Sequence, residues 1–186
     1  MKVNNSLPEI EFWTGDELSD LSRQLNRRKG DHLKAQFLKI KASEMLRNDN
    51  KEVQKKGISL MKLMIELFPK TYFDTMTGHS ILGAYYRSIS EYDNAMFHFS
   101  KILDYNNSNV SNGKYCMPEM QIALTIIVLN RIDKYEYART LLNSVNVKTL
   151  FVKQHMDLYT LMNGVLNGSR STSEVAAFYK NMNLNN

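Results

Sequence analysis

The side chains that most often carry catalysis or bind metal are few and scattered along this sequence. The chain has one cysteine, Cys116, and four histidines, which are His32, His79, His98 and His155. Catalytic and metal sites need several such groups at fixed spacings, and no HExxH, paired-cysteine, GxSxG, Walker-type or Rossmann pattern occurs. We therefore predict that the protein is not an enzyme and uses no metal or cofactor. A single cysteine also excludes an intrachain disulfide.

The composition favours helices and disfavours a membrane protein. Of 186 residues 43% are hydrophobic, and only three prolines and eight glycines interrupt the chain. The longest apolar stretch, residues 122–129, is much shorter than the roughly 20 residues that cross a bilayer. The first residues also lack the apolar core of a secretory signal. These features predict a soluble, all-α, cytoplasmic protein with no membrane span.

The formal net charge of +5 is concentrated in one stretch. Between Arg23 and Lys56 there are eleven basic and four acidic residues. Because they alternate with apolar positions along a helix, most are expected to form a solvated face. No motif of a nucleic-acid-binding fold accompanies them, which disfavours a nucleic-acid partner. RNA binding through residues 23–56 therefore remains an alternative and is not the main hypothesis.

Helix start and stop signals divide the chain into paired helices. Thr14 and Glu17 have the spacing of a capping box, which predicts a first helix after an irregular segment, 1–13. Gly30 is predicted to stop that helix and Asp31 to cap the next one. Later pairs are predicted up to residue 182, with a long loop at 106–115, Ser171 or Ser173 as the last cap, and a polar tail, 183–186.

The sequence repeats itself with a period of about 40 residues, which is typical of stacked helical hairpins. Gly57, Ala95, Ala138 and Ala176 follow one another at sequence intervals of 38, 43 and 38. Placing residues 90–99 over 133–142 puts Tyr92 on Tyr135 and, upstream, Tyr86 on Leu129. We therefore expect one folding unit that recurs along the chain.

The repeated residues resemble the tetratricopeptide repeat. Its Leu-Gly, Tyr, Ala and Phe positions are occupied here by Leu82-Gly83, Tyr86, Ala95 and Phe99, and its closing proline by Pro69. His79 departs from the consensus Trp, and the period is four to nine positions longer than that of the consensus repeat. The resemblance implies a right-handed stack, an α-solenoid, of three to four helix-turn-helix hairpins within residues 14–182.

In such a stack the first helix of each hairpin lines a concave groove where a partner lies. The candidate partner-binding residues are four and seven apart on these helices: Ser80, Ala84, Arg87, Ala123, Ile127, Asn130 and Arg131. Small and apolar members would form the floor, with Arg87 and Arg131 at a rim that suits carboxylates. We therefore expect a non-catalytic interaction module, an adaptor or dedicated chaperone, that binds a segment of a partner protein. A peptide-responsive regulator is an alternative, and homodimerisation through the end hairpins is left open.

Overall fold

A computed structural model describes residue 7 and residues 10–109, 116–150 and 152–184. Within these ranges the chain is all-α with no strand, as the sequence predicted. Its helices are α1 (Gly15–Asn26), α2 (Asp31–Leu46), α3 (Lys51–Leu67), α4 (Tyr72–Ser88), α5 (Tyr92–Ser108), α6 (Pro118–Val128), α7 (Tyr135–Ser144), α8 (Lys153–Leu166) and α9 (Thr172–Leu184). Short 3₁₀ segments cover Ile132–Lys134 and Val147–Thr149. Of the predicted loop at 106–115, residues 106–108 belong to α5 and residues 110–115 lie outside the described ranges.

The structure confirms two of the three helix N-caps that the sequence predicts. Thr14 N donates to the Glu17 carboxylate at 2.9 Å, and Glu17 N donates to Thr14 Oγ1 at 3.3 Å, which confirms the capping box. The same reciprocal pair joins Ser171 and Glu174, so Ser171 is the cap of α9. The prediction for Asp31 was wrong, because Asp31 is the first helical residue of α2 and Gly30 precedes it as the N-cap. Gly30 has φ of 86°, a conformation that glycine adopts without steric cost.

The chain divides into two compact units, and the first, Met1–Tyr85, is built on the pair α2 and α3. The two helices approach closely at Gly57, where an added Cβ would lie 2.9 Å from Met45 Cβ and 3.1 Å from the Ala42 carbonyl oxygen. The segment before α1 is attached to α3, because Trp13 Nε1 donates to the Lys56 carbonyl at 3.2 Å and to Ser59 Oγ at 3.1 Å.

An ion pair joins α1 to α3 near the same place. Lys56 Nζ donates to the Glu17 carboxylate at 2.5 Å. The hydrogen bond from Lys56, together with that from the Thr14 backbone, lowers the pKa of Glu17 from 4.5 to about 2. The carboxylate therefore stays charged, and the pair intact, until the pH falls towards that value.

The second unit, Tyr86–Asn186, begins with the last turn of α4 and has α6 at its centre. Helix α6 contacts α5, α7, α8 and α9. Nine of its eleven residues are buried, including the whole run 122–127. A helix that is apolar around its circumference must be covered on all sides, and the neighbours of α6 provide that cover.

Three helix ends in the second unit, those of α4, α6 and α8, form the same left-handed turn. Ser90, Asn130 and Gly168 have φ of 63°, 52° and 77°, and they follow one another at sequence intervals of 40 and 38. In each case the next residue donates its N–H to the carbonyl five positions before it, at 2.9, 2.8 and 2.9 Å. In each case also the left-handed residue bonds to the carbonyl three before it, at 3.1, 3.0 and 3.0 Å. This is the Schellman motif, so α4, α6 and α8 end in the same backbone geometry.

Because the left-handed conformation costs a residue with a Cβ about 1 kcal/mol or more, the turns at Gly168 and Ser90 predict opposite responses to substitution. Gly168→Ala is expected to lower the free energy of unfolding by about 1 kcal/mol. An added Cβ meets nothing within 4 Å there, so the loss would come from φ alone. Ser90→Gly is expected to raise stability by about 0.5 kcal/mol. Urea unfolding followed by circular dichroism measures both changes in the free energy of unfolding. The control is Gly15→Ala in α1, where the glycine does not have a left-handed φ.

Candidate functional site

The seven predicted partner-binding residues do not form one accessible surface. In the first unit Ser80 and Ala84 are half-buried, one turn apart on α4. In the second unit Ala123 and Ile127 are completely buried, and Arg87 is only 4% exposed. The prediction that these three side chains line an accessible groove is therefore corrected, because the neighbours of α6 cover Ala123 and Ile127 and Arg87 is buried against α6. Asn130, the left-handed residue of its turn, is exposed, and Arg131 is half-buried beside it.

A shift of three residues in the repeat register explains part of this outcome. The turns of Ser90 and Asn130 place Tyr86 on Ile126, at an interval of 40, whereas the sequence alignment placed it on Leu129, at 43. The difference is the 3₁₀ turn Ile132–Lys134, which is inserted between the second turn and α7. With the turn register, Ala123 corresponds to the buried Gly83 and not to Ser80.

Arg87 lies inside the second unit and joins three helices. Its guanidinium donates from Nη1 to the Gln121 carbonyl at 3.2 Å, to Gln121 Oε1 at 2.9 Å and to Thr125 Oγ1 at 3.3 Å, all on α6. From Nη2 it donates to the Tyr179 hydroxyl of α9 at 2.5 Å. It also lies over the rings of Phe99 and Tyr179, at 5.3 and 4.7 Å from their centroids. Burial lowers the pKa of Arg87 below its ordinary value.

Arg131 joins two successive hairpins at their turns. Its guanidinium lies 4.2 Å from the Tyr92 ring centroid, at the start of α5, and is paired with Asp133 at 3.2 Å. Burial raises the pKa of Tyr92, and the Arg131 charge opposes that shift. Arg131 is thus half-buried at the turn that follows α6, where it contacts neighbours of its own chain.

The first unit carries a surface that the sequence analysis did not identify. Four large apolar side chains on α2 and α4, which we call the α2–α4 surface, are about half exposed: Leu33 50%, Ile40 50%, Tyr72 49% and Phe73 60%. Leu33 and Ile40 are seven residues apart and so share one face of α2.

A buried carboxylate fixes the two helices of this surface to one another. Asp74 is only 1% exposed and is contacted by His32 Nδ1 at 2.7 Å and by Lys39 Nζ at 2.5 Å, both on α2. Lys39 also lies 5.2 Å from the Phe73 ring centroid. These contacts hold the first turn of α4 against α2 while the adjacent aromatic side chains remain exposed.

Basic residues lie next to one end of the α2–α4 surface. Arg27 and Lys29 are exposed just before α2 begins. Arg28 lies 3.5 Å from the ring centroid of Phe37, which is one turn from Leu33 on the same helix face. An apolar surface with basic neighbours suits a ligand that carries both apolar and acidic side chains.

Side chains from distant parts of the sequence account for what sequence reasoning missed. Tyr179 contacts Arg87 across 92 residues, and no local pattern announces such a contact. Phe73 and Tyr72 could have been noticed as two large aromatics in the first turn of a helix, but local spacing predicts neither their exposure nor the contacts of Asp74 with α2.

Neither a metal cluster nor a membrane span is evident in the described part of the chain. No group of three or more His, Cys, Asp or Glu side chains there could hold a metal ion. No helix within the described ranges has the length and apolarity needed to cross a bilayer. No protein-family model matches the chain, and no curated protein or solved structure is significantly similar to it.

Proposed function

We propose that this chain is a non-catalytic interaction protein that binds a segment of a partner protein on the faces of its first helices. The observation that carries the proposal is the α2–α4 surface. Isolated exposed apolar residues are common, but several large ones on adjoining helices, beside basic residues, are typical of protein-binding surfaces. The partner segment that this surface fits has apolar anchors and acidic side chains.

The repeated geometry of the second unit supports the tetratricopeptide-like part of the proposal. Three Schellman turns recur at nearly constant intervals, and α5 contacts α6 as α7 contacts α8. Those are the contacts that successive stacked hairpins make. A preformed array of this kind binds without first having to order itself, which favours affinity. The adaptor or chaperone role in the cytoplasm is part of the same proposal, and a single cysteine is compatible with a reducing compartment.

Selection from a library of random linear peptides tests the proposed surface. We expect the enriched peptides to share apolar anchors with neighbouring Asp or Glu. The double variant Leu33→Ser/Phe73→Ser should weaken their binding by about tenfold or more, because loss of a central apolar anchor typically costs that much. Fluorescence anisotropy with a labelled selected peptide measures the dissociation constant.

The matched control is Ile132→Ser/Val147→Ser, which changes two side chains that are 66% and 37% exposed in the 3₁₀ segments of the second unit, outside its first helices. It should leave peptide affinity unchanged. The proposal would be contradicted if no peptide is enriched, or if both double variants lose the same peptide-binding affinity. A labelled RNA that binds with a steep salt dependence, when no peptide binds, would instead support the RNA alternative.

A further inference from the structure

Helix α9 departs from the contact order of the other hairpins in the second unit. The second helix of a hairpin contacts the first helix of the next one, as α5 does with α6 and α7 with α8. Helix α9 is the second helix of the α8–α9 hairpin, yet it contacts α6 as well as α8. It therefore lies on the first helices of two hairpins, which is the position expected for a bound partner segment.

The polar anchor of α9 is the contact between Tyr179 and Arg87. The Tyr179 hydroxyl accepts from Arg87 Nη2 at 2.5 Å. In the described part of the chain, the hydrogen bonds of this guanidinium go to neutral oxygens, those of Gln121, Thr125 and Tyr179. A buried arginine is best compensated by a carboxylate, which matches the guanidinium fork with two charge-assisted hydrogen bonds.

Helix α9 buries fewer side chains than α6 does, so apolar burial stabilises its position less. Of the α9 side chains that the structure describes, only Val175 is fully buried, whereas nine residues of α6 are buried. Val175 and Tyr179 are four residues apart and so share the face that docks. An element with few buried apolar contacts separates from the fold at a lower free energy than the core does.

We propose that α9 is an exchangeable internal ligand of the second unit. It occupies the first-helix face of α6 and α8, and a helical partner segment displaces it by bringing a carboxylate to Arg87 and an apolar side chain to the Val175 position. The inference rests on the proposed function, since it assumes that partners bind to first-helix faces. It adds the partner chemistry, an apolar residue followed four positions later by an acidic one.

Hydrogen exchange of the full-length chain, read by mass spectrometry, tests whether α9 separates. Tyr179→Phe removes the hydroxyl and keeps the ring, and it is expected to speed exchange in α9 by about tenfold while α6 stays protected. The matched control Tyr137→Phe alters an exposed tyrosine of α7 and should change neither helix.

Synthetic peptides with the sequence of residues 171–184 test the carboxylate. One peptide carries para-carboxyphenylalanine in place of Tyr179, and the other carries the uncharged para-carboxamide of the same shape. We expect the carboxylate peptide to bind the full-length protein about tenfold more tightly than the carboxamide, because a charged acceptor roughly doubles the strength of the hydrogen bond to arginine. Its binding should also speed exchange in the protein's own α9.

The inference is overturned if α9 exchanges as slowly as α6, if the peptides bind without speeding α9 exchange, or if the carboxylate gives no advantage. Its failure is separable from that of the proposed function. Library peptides that depend on Leu33 and Phe73 while α9 stays protected would contradict only this inference. An exchangeable α9 that prefers the carboxylate, with no peptide held by the α2–α4 surface, would contradict only the evidence for the proposed function.

Discussion

Gly57→Val is expected to lower the free energy of unfolding by about 3 kcal/mol. The physical reason is the crossing of α2 and α3, where even a Cβ would lie 2.9 Å from Met45 Cβ and 3.1 Å from two backbone atoms, Ala42 O and Leu46 N. None of these atoms is the flexible end of a side chain, so relief requires the helices to separate. Urea unfolding monitored by circular dichroism at 222 nm measures the change as a shift of the midpoint.

The sign of this effect distinguishes packing from helix propensity. In an exposed helix interior, replacing glycine normally adds up to about 1 kcal/mol of stability. The control is Gly15→Val at the first position of α1, where an added Cβ meets nothing within 4 Å and the change is expected to stay within about 0.5 kcal/mol. Equal effects at the two glycines would contradict the close crossing.

Features set by residues near one another in sequence could be predicted. The Thr14–Glu17 capping box and the Ser171 cap of α9 both depend on local spacing, and the structure contains both. Asp31 failed as a cap because the competing glycine before it adopts the positive φ that the connection needs.

The repeat register could be predicted only in part, because the matching side chains and the matching backbone turns recur at different sequence intervals. Tyr92 and Tyr135 both begin an α-helix, which the sequence alignment found. Ser90 and Asn130 form the same turn, but neither is the glycine that would mark a left-handed position. The 3₁₀ turn between Asn130 and Tyr135 adds three residues. The sequence alignment therefore matched each α6 candidate to an α4 residue three positions away from its structural counterpart.

The candidate site could not be predicted because it depends on long-range packing. The burial of α6 comes from four neighbouring helices, and the pairing of Arg87 with Tyr179 joins residues 92 apart. Exposure of Phe73 depends likewise on the contact of Asp74 with α2. Such contacts involve ordinary residues without a recurrent spacing, so periodicity places them on a helix but does not decide which side is covered.

Phe99→Ala is expected to lower the free energy of unfolding by about 3–5 kcal/mol, because it empties a fully buried site in α5. The loss has two sources. The ring leaves a cavity in the second unit, and the Arg87 guanidinium, whose Cζ lies 5.3 Å from the ring centroid, loses an aromatic face against which it is buried. Phe99→Leu should cost less, since leucine retains most of the apolar contact.

Phe97 provides the matched control, since it is the same residue type on the same helix but 54% exposed. It makes an edge contact with His98 at 5.2 Å and lies 5.3 Å from Lys101 Nζ, and exposed contacts of that kind are worth at most about 1 kcal/mol. Phe97→Ala should therefore lower stability by less than about 1 kcal/mol. Equal urea midpoints for the two alanine variants would contradict the burial of Phe99 and the exposure of Phe97 on α5. They would also contradict the packing of Arg87 against Phe99.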